Sequence, residues 1–435
     1  MSKIIKKRSR RKTQKPPTPY EVGSAAAATA VVGLVFCSLE GLRFLNCVPP
    51  KLQKSLVAYI AGLCILDEHP TACAMADKLG ISHDRLTRLS CCIRFSACAV
   101  AGLLIGLVQS LGHSGWIIVD DVLLPHCRGK KMEGVYWDHD HTERKNVLGM
   151  RLVVVLWTDG MLRIPLAFAV WHKKDSCVYR RYRSKNTLAR ILVRLVIRKG
   201  VRPLYVVFDA WYASKQNLRL FDRLGLVWVT RIKKNCRLWF QDRKLLSRTI
   251  GSRLLKAKRP YTFQELALQG RSATVDWGSL KGLTFVVVKD GLDEERPTLS
   301  YLLSNDSVTT RKLIERYKSR WIVEVFFRDA KQHLGFAAYQ GRSLEGAIRH
   351  ICLVFIAAVM LDRIKGKGMT LGDAKRTAQS LIVIQDQRGR SRLTVQTHPD
   401  WSEPTLLEKA KKVVKPHLKA VCHLRIPKLK YSQAA

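Results

Sequence analysis

Residues 317–331 read YKSRWIVEVFFRDAK, and their polar side chains come in an order that suits phosphate chemistry. Set on a helix at about 100° per residue, Tyr317, Arg320, Glu324 and Lys331 share one stripe roughly 60° wide. The opposite face carries Ile322, Val323, Phe326, Ala330 and Leu334, a surface made for burial. One carboxylate thus stands in a row with two cations and a phenol, on a helix anchored by its back. Such a row suits a metal-bound phosphodiester, with Glu324 on the metal and Arg320 and Lys331 on the phosphates. The plainer reading is a helix carrying surface ion pairs, which contribute little.

Two further acidic positions sit where acids are costly. WIIVDDVLL (116–124) is an apolar strand with Asp120 and Asp121 in its middle, and LYVVFDAWYAS places Asp209 at the end of a short buried strand (204–208). A carboxylate there must be paired or bound to a metal. Carboxylates from separate elements of a mixed sheet can converge on a pair of Mg²⁺ ions, which prefer oxygen ligands and clamp both oxygens of an in-line phosphoryl transfer. Strand alternation lets only one of Asp120 and Asp121 face such a site.

The elements that must position these groups follow from pattern. Residues 20–112 are Ala- and Leu-rich and helical. Within them TACAMADKLGISHDRLTRLS has helix-turn-helix spacing, with Thr71 and Ser82 as caps, Gly80 at the turn, and Ala76, Leu79, Ile81 and Leu86 inside. Its second helix would offer Ser82, His83, Arg85 and Arg88 to DNA, and a plain helical hairpin is the alternative. From 113 to 232 strands dominate. A polar segment follows the first strand, then two β-rich runs (147–157 and 161–171) meet at Thr158-Asp159-Gly160 as a hairpin. An amphipathic helix (184–199) ends at Gly200, and a strand, a helix (214–224) and a strand (226–232) follow as a parallel extension. Residues 233–298 read as an inserted β-rich subdomain. From 299 to 364 come a strand, one helix from about Thr309 through the polar stripe, and an apolar helix at 342–364. Residues 365–435 are a basic extension, irregular apart from a helix at 404–414.

Composition narrows the partner. The 435 residues carry 76 Lys plus Arg against 34 Asp plus Glu, a formal charge of +42 spread along the whole length. That excess calls for a polyanion, nucleic acid before membrane lipid, with salt-sensitive binding. The longest apolar runs, 25–36 and 351–361, fall short of the roughly 18 residues of a membrane span. The 12 Cys form neither a disulfide framework nor a zinc module, as expected of reduced thiols in a cytosolic protein. Residues 1–19 are basic, then Pro-rich, without the apolar core of a signal peptide; they read as an arm able to lie on phosphates.

The spacing Tyr317-(2)-Arg320-(3)-Glu324-(6)-Lys331 resembles the Y-R-E-K signature of bacterial insertion-sequence DDE transposases, the cut-and-paste group with an RNase H-like core. Trp321 after the Arg and HLGF after the Lys agree with it. IIVDDVLLP and VVFDAWYAS resemble the family's first and second Asp blocks, and YLLSND resembles the strand that leads to the Glu helix. The resemblance covers roughly residues 115–360. It implies an α/β fold: an RNase H-like mixed-sheet catalytic core interrupted by a β-rich insertion and preceded by a helical DNA-binding region. It implies that Asp120, Asp209 and Glu324 are the catalytic triad and bind Mg²⁺ (or Mn²⁺), two ions together. Tyr317, Arg320 and Lys331 would hold phosphates. The reaction would be cleavage of transposon ends and their joining to target DNA, by a homodimer on paired ends in the bacterial cytoplasm, associated with the nucleoid and no membrane. One departure stands out: Val122 takes the place, two after Asp120, where the family commonly has a hydroxyl residue. The family pattern favours Asp120 over Asp121. Two other functions compete, a catalytically inactive DNA-binding relative and an RNase H-like nuclease that cuts without joining.

Other residues also have types suited to chemistry. Asp138-His139-Asp140-His141 has alternation that could ligate a transition metal, though a solvated loop is the expectation. His113 and His126 flank the first strand without a partner. Trp239 and Trp277 in the insertion are expected to pack, although an aromatic there could stack an unpaired base. Asp329 points away from the stripe and reads as structural.

Overall fold

The computed structural model describes residues 49–395, apart from 67–69, 93–95, 113, 141–143, 178–180, 258–259, 264, 266–267, 291–297, 366–367 and 386–390. The basic arm (1–19), the apolar run 25–36, His113, His141 and the helix expected at 404–414 lie outside the described residues.

The described chain opens on helices α1 (Pro50–Ile65), α2 (Ala72–Leu79), α3 (His83–Cys92) and α4 (Ala97–Ser110). Thr71 Oγ1 caps α2 by accepting from the Ala74 amide at 3.2 Å, and Gly80 makes the turn into α3 with φ 62°, a left-handed conformation that suits glycine. Met75, Ala76, Leu86 and Leu89 are buried, while Arg85 and Arg88 stay exposed. The helix–turn–helix spacing is therefore present as a folded hairpin.

A mixed sheet follows. Strand β1 (Trp116–Pro125) leads through β2 (Tyr136–Asp140) to the long β3 (Lys145–Thr158) and β4 (Arg163–Trp171). β3 pairs antiparallel with β1 on one edge and with β2 and then β4 on the other. The polar segment after β1 thus contains a strand. Its alternation of half-buried and exposed residues, with no apolar run, hid it. Helix α5 (Lys185–Arg198) is capped by Ser184, whose Oγ accepts from Thr187 N at 3.2 Å. Then come β5 (Val206–Phe208), α6 (Lys215–Arg223) and β6 (Trp228–Arg231). β1, β5 and β6 run parallel, with Val119 beside Phe208 and Phe208 beside Thr230.

The β-rich stretch contains β7 (Arg237–Phe240), β8 (Arg243–Leu246), α7 (Ser247–Ala257), β9 (Tyr261–Phe263), β10 (Leu268–Trp277) and β11 (Leu280–Asp290), and β12 (Thr298–Ser304) follows. β11 pairs with β12 and β12 with β6, so one sheet runs β2-β3-β1-β5-β6-β12-β11-β10-β7-β8. The strands of the stretch are hydrogen-bonded into the same sheet as the core, and they bring a helix, α7, that no sequence pattern announced.

The single helix expected from Thr309 is two. α8 (Thr310–Lys318) and α9 (Trp321–His333) meet at Ser319 and Arg320, where the amides of Arg320, Ile322 and Val323 bond three residues back instead of four. α10 (Leu344–Ile364) is long and apolar enough to cross a membrane, yet it is mostly buried against α1, α3, α4, β4 and α11 (Leu371–Ser380). Its packing puts α1–α4 and the sheet into one hydrophobic cluster. Tyr59 of α1 reaches His350 of α10 at 2.9 Å. The basic extension, expected to be irregular here, holds α11 and a hairpin of β13 (Leu381–Gln385) and β14 (Ser391–Val395).

Candidate active site

Register brings the first two acids together. Val119 lies beside Phe208 in the parallel pair β1–β5, so the next residues, Asp120 within β1 and Asp209 just past the end of β5, stand side by side. The α8–α9 junction supplies the third. Arg320 Nη1 donates to Asp120 Oδ2 at 2.6 Å, and its Nη2 donates to Glu324 Oε1. One guanidinium therefore bridges the strand acid and the helix acid. Tyr317 stands beside Arg320, with Asp209 and Arg231 also close; burial lifts its phenol to about 12.

Alternation sends the neighbouring acid to the opposite face. Asp121 Oδ2 accepts from Arg151 Nη1 at 2.7 Å and from Lys185 Nζ at 3.2 Å, and its Oδ1 accepts from Tyr212 at 2.8 Å. Arg151 in turn holds Asp138 of β2. The two aspartates consequently differ in charge chemistry. Burial lifts Asp120 to about 7; Arg320 opposes the rise, and Asp121 and Asp209 add to it. Burial would also lift Asp121, but Lys185, Arg151 and Tyr212 outweigh it and hold the carboxyl below its ordinary range. Burial works against the charge of Arg320 as well, and Asp120, Tyr317, Glu324 and Asp209 outweigh it.

The chain matches the family model described as DDE superfamily endonuclease over residues 43–279, more than half of its length. It belongs to that family. The span of this DDE-family match holds Asp120 and Asp209 and ends before Glu324. No curated protein matches the chain.

Within this endonuclease-family chain the structure gathers Asp120, Asp209, Glu324 and Tyr317 around Arg320, and Lys331 stands farther along α9. That side chain is exposed and lines a cleft with His126, which is buried and pressed down to about 4 by desolvation. Helical periodicity put Lys331 on the stripe, but it lies seven residues beyond Glu324 and so two turns farther along α9. Arg85 and Arg88 lie exposed on α3. Asp138, His139 and Asp140 form β2, and Asp138 is taken by Arg151. Trp277 packs partly buried against the core, whereas Trp239 is exposed. Asp329 is buried and paired with Arg163 of β4 at 2.7 Å, as part of a trio in which Asp362 of α10 grips the same guanidinium. That trio ties α9 and α10 to the sheet.

Sequence reasoning missed the cations Arg151 and Lys185, which hold Asp121, and the exposed indole Trp211 beside Lys185. Lys185 Nζ lies 4.5 Å above the Trp211 ring. An arginine inside the apolar run of β3 was the one available signal, because a buried guanidinium needs an acid partner.

The donor set suits a hard divalent cation: three carboxylates contributing oxygen only. Among the described residues no three acidic, His or Cys side chains stand close enough to hold one ion. Arg320 supplies the counter-charge between Asp120 and Glu324 instead.

Proposed function

We propose that this chain is a DNA transposase of the Y-R-E-K type, which cleaves the ends of a mobile element and joins them to target DNA. The observation that carries the reading is the arrangement of Asp120 and Asp209 at adjacent parallel-strand positions, with Glu324 linked to Asp120 through Arg320. Asp120, Asp209 and Glu324 would hold Mg²⁺ or Mn²⁺, which supplies Lewis-acid activation of nucleophile and scissile phosphate, two ions acting as a clamp.

The chain's own residues do the rest. Arg320 has a planar fork that fits a phosphate as well as a carboxylate. It can therefore exchange a carboxylate for the phosphate next to the cut, freeing that acid. Tyr317, neutral at physiological pH, offers a hydroxyl donor beside it. Asp120, with its pKa about 7, keeps or releases a proton close to neutrality and is ionised most fully above that pH. In the first step water attacks a phosphorus at the element end and the 3′-oxygen leaves, taking up a proton as a 3′-hydroxyl. In the second that hydroxyl attacks a target phosphodiester, forming one ester bond as another breaks. A homodimer on paired ends, exposed Arg85 and Arg88 on the DNA, and a bacterial insertion-sequence origin in the nucleoid-associated cytoplasm belong to the same reading.

The test uses labelled DNA carrying the ends that flank the gene, with Mg²⁺, and compares the native chain with Glu324→Gln. Native protein should cleave and join, and the variant should bind and do neither. If both bind and neither cuts, a DNA-binding relative without catalysis is the better account. Cleavage without joining would leave a nuclease.

A further inference from the structure

We propose that a basic cleft beyond the C-terminal end of β1 is a second phosphate site, which grips the backbone of duplex DNA some distance from the cut. The proposal rests on the reading of the chain as a DNA-processing enzyme. The cleft has a volume of about 940 Å³ and is lined by two loops, 125–132 and 335–342, with Lys331 of α9 between them. Arg128, Lys130, Lys131, Lys331 and Arg342 all line it and all are exposed, and among the described residues no acidic one does. Glu133, the residue after the first loop, has its carboxylate engaged at the start of α10, where it accepts from the Leu344 amide at 3.0 Å.

This cluster differs from the cations around the acids. Arg320, Arg151 and Lys185 are all neutralised by carboxylates. Arg128, Lys130, Lys131 and Arg342 have no acidic partner among the described residues. Gathering like charges in a concavity costs self-repulsion that only a bound anion relieves.

The backbone that carries them is held in place. The Gly129 amide donates to His126 O at 2.7 Å, Met132 N to Gly129 O at 2.9 Å, and Glu133 N to Arg342 O at 2.9 Å, which staples one wall to the other. On the second wall Tyr339 stacks on His350 and lies so close to Gly341 and Gly346 that a Cβ at either would strike its hydroxyl. His350 is itself pinned by Tyr59 and by Gly335 O at 2.8 Å. With the backbone already held, an anion binding there has only side chains left to order.

Position identifies the occupant. Lys331 is seven residues past Glu324, about 10 Å along a helix, and Pro125 is five past Asp120, about 17 Å along a strand. A DNA strand rises about 3.4 Å per base pair, so phosphates about three to five base pairs from the cut reach the cleft. Lys and Arg there read charge and not sequence.

The experiment uses the full chain and a fluorescein-labelled duplex of arbitrary sequence. Affinity is followed against salt for native protein, for Arg128→Gln/Lys130→Gln/Lys131→Gln, and for Arg194→Gln/Arg198→Gln/Lys199→Gln, exposed on α5 and its C-terminal cap and carrying the same charge change. The cleft variant should lose about 2–3 from the log–log salt slope, near 0.9 per phosphate contact, and the α5 variant less than about 1. In native protein, saturating duplex should slow alkylation of Cys127, exposed in the cleft, several-fold relative to exposed Cys98. If native protein binds and cuts DNA, yet both variants lose equal slope and Cys127 stays fully reactive, the cleft proposal is overturned and the endonuclease reading stands. Absence of DNA binding by native protein overturns both.

Discussion

Replacing Asp120 with asparagine should make this protein more stable at pH 8. Burial raises the carboxyl from an ordinary 3.8 to about 7, against the pull of Arg320 and with help from Asp121 and Asp209. Below pH 3.8 the group is neutral in both folded and unfolded chains. Between 3.8 and 7 the folded chain keeps a proton that the unfolded chain has lost, so stability falls as pH rises and the loss is complete above 7. At about 1.36 kcal/mol per pH unit the interval amounts to about 4 kcal/mol. Asparagine has the shape of the neutral acid and does not titrate. The variant should match the native chain near pH 4 and exceed it by up to about 4 kcal/mol at pH 8. Urea unfolding followed at successive pH values reads the difference directly. Mg²⁺ at pH 8 should stabilise the native chain more than the variant and narrow the gap, because binding to the folded state alone adds stability. Parallel pH profiles, or a variant less stable at pH 8, would refute the reasoning: the bond from Arg320 would then outweigh the desolvation.

Two further outcomes follow from buried groups away from the acids. His350 is pressed from 6.5 to about 4, chiefly by burial, so its contribution is whole above 6.5 and is lost as pH falls to 4, about 3 kcal/mol in all. His350→Gln, whose amide can still accept from Tyr59 and donate to Gly335, should lose less stability over that window, and an unchanged acid profile would count against it. In the Arg163 trio, Asp362 uses both carboxylate oxygens and Asp329 one. Asp362→Asn should therefore cost about 3–5 kcal/mol, as for a broken buried pair, and Asp329→Asn about 1.5–3, as for one charged hydrogen bond. Equal costs in urea unfolding would mean that the trio does not share its charge as drawn.

The sequence by itself determined the pieces whose signals are local. Apolar runs marked β1, β3, β4 and β5, Gly80 and Gly200 marked helix ends, and the Arg320–Glu324 spacing marked the acidic helix, because side-chain periodicity follows from backbone geometry alone. Asp329 was legible as structural for the same reason. Tertiary structure decided everything that depends on a distant partner. Asp120 and Asp121 are indistinguishable within one apolar strand, and only the cations on each face of the sheet, Arg320 on one and Arg151 with Lys185 on the other, separate them. The break at Ser319 and Arg320 has no proline or glycine to announce it. The pairing of β11 with β12 and of β12 with β6, which makes the β-rich stretch part of one sheet, joins residues far apart in sequence. Helical angle and the signature spacing both put Lys331 in the row of polar residues, and the rise of the helix carries it two turns along, to a cleft whose other wall is built from another part of the chain. Angle around a helix is written in the local sequence; what stands opposite each turn is settled only when the chain has packed.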